Sequence, residues 1–276
     1  FNLKVEQWQT AKDNLPVLTD EWLHDRFEIF QNYCFPSVVN QRNQNFSWVV
    51  FFDTDTPLAY KRMIEQMAIG YSNFKPLYVD GVASFISSFK EFIHENIEPN
   101  DDFLITSRLD NDDAIHQDFV DMIQTLAIRK NETVIDLQKG YQMNITKNYH
   151  EYRGNYYYPF NPFISLVEET TGFQTVFKRE HPAWKEGVSI IVYDEKPLWI
   201  EIVHKKNKYN YVKLDLPLIR RIKLDEFGIS KRLRERGYIY ILSNNVLRKT
   251  KRFGWKKYVK VKNLLQQRHK GSESFK

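Results

Sequence analysis

The sequence predicts an α/β fold, a mostly parallel central sheet flanked by helices, with a basic helical extension over 215–276. Three observations carry that expectation. Short apolar runs of strand length alternate with stretches whose hydrophobic residues recur at the helical period. Strand, helix, strand, helix at this spacing leaves room for right-handed crossovers between parallel strands. The charge is also divided along the chain. From Arg220 to Lys276, 18 Lys and Arg stand against 4 Asp and Glu, a balance of +14, while the remainder holds 22 against 31. A chain split in this way has a basic tail with its own partner.

Thr19 is placed to cap a first helix, with Asp20 and Glu21 in the turn where carboxylates suit the dipole. Leu23, Phe27, Phe30 and Cys34 form one apolar face, and Pro36 ends or kinks that helix. Trp48–Phe52 is wholly apolar and closes on Asp53, which reads as a buried strand. Asp53–Pro57 reads as a loop before a helix at Leu58–Met67, then a short strand at Pro76–Asp80. Phe85, Phe89, Phe92 and Ile93 give a second amphipathic helix, ended by Pro99, and Phe103–Thr106 a third strand. Ile115, Phe119, Met122, Ile123 and Leu126 make a further helical face.

Beyond residue 130, Val134–Leu137 and Tyr141–Ile145 read as strands and Tyr149–Phe163 as an irregular loop or hairpin. Ile164–Glu169 reads as a short helix, and Thr175–Phe177, Ser189–Tyr193 and Leu198–His204 as strands. The single cysteine, Cys34, excludes an internal disulfide framework and a cysteine-built zinc site, and favours a reducing compartment. No apolar run of about 18 residues exists to span a bilayer.

The sharpest chemical feature is Arg108-Leu109-Asp110-Asn111-Asp112-Asp113. In an open parallel sheet, ligands bind beyond the carboxyl ends of strands, and both Asp53 and this acidic run sit at such ends. Carboxylates so crowded repel one another unless a cation sits among them, and Mg²⁺ or Mn²⁺ prefers oxygen ligands together with substrate phosphates. Arg108 would add a fixed positive charge to the same phosphates. The alternative is an Asx-rich turn capping a helix near Ala114. A calcium hand is excluded, since no Gly follows the cluster and no Glu stands at the required spacing.

Trp22…Arg26-Phe27…Pro36-Ser37…Gln41…Phe46…Trp48, Arg-Leu-Asp-Asn-Asp-Asp-Ala at 108–114, Asn161-Pro162-Phe163, and Pro197-Leu198-Trp199…His204…Asn207 occur in one order. Over roughly residues 1–210 this set resembles the bacterial rhamnosyltransferase family, GT-A-fold enzymes that use nucleotide sugars. The resemblance implies a GT-A-like catalytic domain at 1–214, with a nucleotide-binding half at about 1–113 and an acceptor half at about 114–214. It implies that Asp110 and Asp112 are the Asp-x-Asp pair, with Asp113 an alternative metal ligand and His204 a further one. Asp53, Arg108, Asp110 and Asn111 would contact the nucleotide. Phe1-Asn2-Leu3 resembles the end of that family's first strand, so an upstream strand is expected before it.

The expected activity is therefore hexosyl transfer, rhamnosyl among the candidates, from a dTDP-, UDP- or GDP-linked donor to a glycan or lipid-linked glycan. The setting would be bacterial surface polysaccharide synthesis, with Mn²⁺ or Mg²⁺ as cofactor. An inverting reaction needs a base for the acceptor hydroxyl, and Glu168 and Glu169 occupy the implied place, with Glu180-His181 as the other pair. A retaining reaction would need no such base. Tyr149, Tyr152, Tyr156, Tyr157, Tyr158, Phe160 and Trp184 would either stack on sugar rings or pack the fold.

In the tail, Arg248–Lys262 interleaves basic and aromatic residues. It reads as a membrane-surface segment for anionic lipid, as a nucleic-acid contact, or as a solvated face. The expected location is cytoplasmic, peripheral on the inner membrane face. A Mg²⁺-dependent, nucleic-acid-associated phosphodiester enzyme or binding module is the alternative function; it asks for further carboxylates at other strand ends, and nucleic acid is not the expected partner.

Overall fold

Thr19 caps the first helix as the sequence predicts, its hydroxyl accepting the Trp22 amide at 3.2 Å. In the computed structural model, which describes residues 1–5, 10, 16–207 and 210–251, α1 runs Asp20–Ile29. Pro36 has no amide to continue the ladder. The chain passes through a π-helical turn at Phe30–Cys34, where the Phe35 amide reaches the Phe30 carbonyl, and resumes as α2, Phe35–Val39.

The next elements are β1 (Trp48–Asp53), α3 (Leu58–Gly70), β2 (Phe74–Val79), α4 (Phe85–Asn96), β3 (Phe103–Ser107), β4 (Ala114–Ile115) and α5 (Phe119–Leu126). They are followed by β5 (Thr133–Leu137), β6 (Lys139–Ile145), β7 (Tyr149–Tyr157), β8 (Ser165–Glu169), β9 (Ser189–Tyr193), β10 (Trp199–Val203), β11 (Leu218–Ile219) and β12 (Arg234–Glu235). A last helix, α6, covers 238–251.

The fold is mixed α/β, and its strands form three sheets rather than one central sheet. β1 and β2 pair in parallel. The second sheet has the order β3-β8-β5-β9, and the third β11-β7-β6-β10-β4 with β12 also on β7. Parallel pairs (β1–β2, β5–β9, β6–β10, β7–β12) are interleaved with antiparallel ones (β3–β8, β5–β8, β6–β7, β4–β10, β7–β11).

Three predicted elements change type: Thr175–Phe177, read as a strand, lies in a 3₁₀ turn at Val176–Lys178, with the Thr175 hydroxyl accepting the Phe177 amide. Ile164–Glu169 is strand β8 rather than a helix, hydrogen-bonded on both sides to β3 and β5. Tyr149–Tyr157 is the long strand β7 rather than a loop, because β6, β11 and β12 all pair with it. Of the extension, the described residues 215–237 hold β11, a 3₁₀ turn at Leu224–Phe227 and β12, and the α-helix among the described residues is 238–251. The part of the tail after 251 lies outside the described residues. No helix among the described residues is long and apolar enough to cross a membrane.

Aromatic packing ties these layers together. Phe27, Phe30, Phe52 and Phe74 are buried in one cluster, with Phe1 packed against them at 4.6 Å from Phe27 and 5.1 Å from Phe52. Each such ring contributes roughly 1.5–3 kcal/mol by burial. Trp199 of β10 stacks on Phe163 at 4.9 Å and covers Gly140 of β6. A Cβ at Gly140 would stand 2.1 Å from the indole, so only glycine permits this approach.

β1 and β3 are edge strands, and consecutive residues of both line a cavity of about 1260 Å³ between their sheets. Phe1–Leu3 lie beside β1, where the Phe1 backbone nitrogen donates to the Phe51 carbonyl.

Candidate functional site

β3 delivers the chain to the cavity, and the acidic run turns at its carboxyl end before β4 pairs antiparallel with β10. The four carboxylates expected to act together have four different fates.

Asp110 is the one open to the cavity. The surrounding protein raises its carboxyl, Arg108 pulls it back, and Asp112 adds to the rise. Asp112 is buried, and its Oδ2 accepts from Arg26 Nη1 at 2.9 Å, His204 Nε2 at 3.0 Å and Asn207 Nδ2 at 3.0 Å. Burial opposes its charge, but Arg26 and His204 outweigh it and hold the carboxyl well below the usual range.

Asp113 turns away from the cavity. Its Oδ1 accepts the Ile202 amide of β10 at 2.7 Å, and burial beside the Asp112 and Asp110 charges raises it strongly. Asp53 is 2% exposed and accepts the amides of Asp55, Lys4 and Gly81 at 3.0, 3.2 and 3.3 Å. It fixes the loops around Asn2 and Val82, which line the cavity, rather than facing it. Burial opposes its charge and these amides together hold it low. Asn111 joins the cavity wall, bonding Arg26 Nη2 and the Phe1 carbonyl.

His204 does not stand as a free ligand. Its Nδ1 accepts the Lys206 amide at 3.3 Å, which leaves the ring proton on Nε2, directed at Asp112. A metal-ligating imidazole normally donates from its other nitrogen, so this tautomer suits holding Asp112. Among the described residues no three His, Cys, Asp or Glu side chains converge as a metal cage. The residues fit a looser arrangement, a cation that Asp110 shares with phosphate oxygens, since Mg²⁺ is commonly bound by one or two carboxylates plus phosphates. Phosphodiester chemistry through two metals would need several open carboxylates at once, and Asp112 and Asp113 are already engaged.

The predicted bases lie elsewhere. β8 runs antiparallel to β3, pairing Glu168 with Leu104 and Glu169 with Phe103, three and four residues before Ser107, where β3 gives way to the acidic run. That is about 10 Å or more from the strand end. Glu168 is buried and accepts the amides of Gln174 and Thr175, each at 2.8 Å, so it holds a loop. Glu169 is exposed at the strand end.

Glu180 and His181 do line the cavity. Glu180 lies 4.0 Å from Arg108. His181 Nδ1 is tied to the Phe160 carbonyl, which leaves Nε2 as the acceptor; burial lowers the ring, Arg108 adds to the fall, and the Phe160 carbonyl opposes it.

The tyrosines go mainly to packing. Tyr152 and Tyr156 are buried in the core with Trp184, Tyr157 is exposed, and none of these four lines the cavity. Tyr158 packs edge-on against His181 at 6.0 Å.

Arg26 and Asn207 were given no chemical role by the sequence. Their signal is weak there: Arg26 is one cation on a helix whose apolar face looks elsewhere, and Asn207 is a loop amide. In the fold, Arg26 and Arg108 both border the cavity, and the Nε of each is buried without a hydrogen-bond partner among the described residues. Arg108 also stacks over Phe177 at 5.6 Å. Cationic side chains lining a cavity suit an anion.

Residues 3–214 match the profile of the family described as Putative rhamnosyl transferase. No curated protein matches the chain.

Proposed function

The chain belongs to the rhamnosyl transferase family, and from that premise we propose that it transfers a hexosyl group from a nucleotide-sugar donor to a glycan or lipid-linked glycan. Bacterial surface polysaccharide synthesis is the proposed setting, on the cytoplasmic side at the inner membrane face. One observation supports this reading most: the guanidinium side chains of Arg26 and Arg108 line the same cavity as the open carboxylate of Asp110.

In this reading the two guanidiniums receive the donor's diphosphate, and Asn111 and the loop pinned by Asp53 position the nucleoside. Mn²⁺ or Mg²⁺ has a place only between Asp110 and the phosphates, where it would neutralise charge on the leaving group. The bond from the sugar's anomeric carbon to the diphosphate oxygen breaks, and the acceptor oxygen takes that carbon. For an inverting transfer, the acceptor proton goes to His181 Nε2, with Glu180 beside it. The lowered His181 is neutral at pH 7 and so ready to accept.

The test is a thermal-shift panel of UDP-, GDP-, dTDP- and CMP-sugars with and without Mn²⁺. A ligand that binds only the folded chain raises its melting temperature, and one nucleotide class should do so.

A further inference from the structure

We infer that the outward face of α6, with the basic sequence continuing from it, is a docking surface for an anionic lipid bilayer. The inference deepens the proposed function, resting on it for the class of acceptor but not for the surface itself.

The inner face of α6 is well anchored. Ile241 is buried, Asn245 brackets the Leu218 backbone by accepting its amide at 2.9 Å and donating to its carbonyl at 2.8 Å, and Arg248 donates to the Asp215 carbonyl at 3.1 Å. These positions, i, i+4 and i+7, fix which way the helix faces. The opposite side is then Ile239, Leu242, Val246 and Leu247, exposed by 82%, 51%, 52% and 58%. Four large aliphatic side chains on one open stripe form a patch of the kind that marks an interaction site.

Charge selects the partner. No Asp or Glu occurs between Glu235 and Glu273, a stretch that holds 11 Lys and Arg. Lys249 and Lys251 flank the aliphatic stripe on α6 itself, and the sequence continues through Phe253, Trp255 and Tyr258 among further lysines. Of the acidic groups nearby, Glu151 is paired with Arg236, which also stacks on Tyr149 and Tyr240, Glu235 with Arg220 and Arg221, and Asp215 meets Arg248 of α6 through its carbonyl. A bilayer carrying anionic headgroups meets both halves of this pattern, apolar side chains entering the interface and cations on its surface. A nucleic acid would use the cations but leave Ile239, Leu242 and Val246 in water.

The test uses the full chain with vesicles of phosphatidylcholine alone or with about 30% phosphatidylglycerol, cosedimented at low and high salt. We expect binding to the anionic vesicles at least tenfold tighter than to the neutral ones, weakening with salt. Ile239→Ser/Val246→Ser should lower it at least tenfold with an unchanged melting temperature, and Lys249→Glu/Lys251→Glu by roughly fivefold or more per charge. Equal binding to both vesicle types, full binding by Ile239→Ser/Val246→Ser, or a preference for single-stranded nucleic acid over vesicles overturns the inference. If vesicles bind but no nucleotide sugar shifts the melting temperature, the transferase reading falls and the surface stands.

Discussion

Arg26 Nη1 lies 2.9 Å from Asp112 Oδ2, joining α1 to the acidic loop 86 positions away. The pair is largely buried, so the loop's shape depends on a cation supplied by the first helix. Removing one partner of a buried pair typically costs about 3–5 kcal/mol. Arg26→Ala is therefore expected to lower the melting temperature sharply, as read by calorimetry.

The pH dependence of that pair has a definite sign. Asp112 is depressed in the fold. Its contribution is present above the unfolded carboxyl value of about 3.9 and lost as pH falls through the folded one. Wild type should lose stability on acidification below about pH 4, and Arg26→Ala should show a smaller loss over the same range.

Asp113 has the opposite sign, since burial and its neighbours raise it. Asp113→Asn keeps an oxygen for the Ile202 amide and removes a buried charge. The melting temperature at pH 7 should stay level or rise by a few degrees, while nucleotide binding persists. A clear fall would show that the charged form is required.

Substitutions at Glu168 and His181 separate a loop-holding carboxylate from the proposed base. Glu168→Ala leaves the Gln174 and Thr175 amides unpaired and should cost about 2–4 kcal/mol of stability, with turnover per folded molecule retained. His181→Gln should keep stability within about 1 kcal/mol and lower kcat by about 10²–10⁴. Because His181 is lowered, the acidic limb of the wild-type rate profile should fall below about pH 6.5 and vanish in His181→Gln.

Strands built from continuous apolar residues were legible in the sequence: β1, β9 and β10 fall where Trp48–Phe52, Ser189–Tyr193 and Trp199–Val203 place them. β7 was not, because its Tyr, His, Arg and Asn side chains mimic a polar loop, and only pairing with β6, β11 and β12 makes it a strand. β8 was misread because Ser165-Leu166-Val167-Glu168-Glu169 is too short to show a decisive period.

The same holds for the site. Residues 108–113 stand out by charge density, and Asp110 does open to the cavity. The division of labour among the carboxylates is set by partners distant in sequence: Arg26, Ile202 and His204 for the acidic loop, and Lys4 and Gly81 for Asp53. The antiparallel course of β8, invisible in the sequence, carries Glu168 away from the acidic run, and its carboxylate holds the Gln174 and Thr175 amides.

Metal binding should depend on nucleotide, because Asp110 is the one carboxylate of the acidic run left open to the cavity and no cage of three ligating side chains stands among the described residues. Mn²⁺ without nucleotide should leave the melting temperature unchanged, and Mn²⁺ with a bound nucleoside diphosphate should add a further rise. A shift with Mn²⁺ alone would point to a cage already assembled from these side chains.

The central claim is that guanidiniums beside Asp110 hold a nucleoside diphosphate, and titration calorimetry of UDP, GDP and dTDP against wild type and Arg108→Ala tests it most directly. The account predicts that one of the three binds wild type, and that Arg108→Ala weakens it about 10–100-fold, the loss of charged hydrogen bonds worth about 1.5–3 kcal/mol, with the fold intact. Failure of all three to bind at millimolar concentration, or equal affinity in Arg108→Ala, would contradict it.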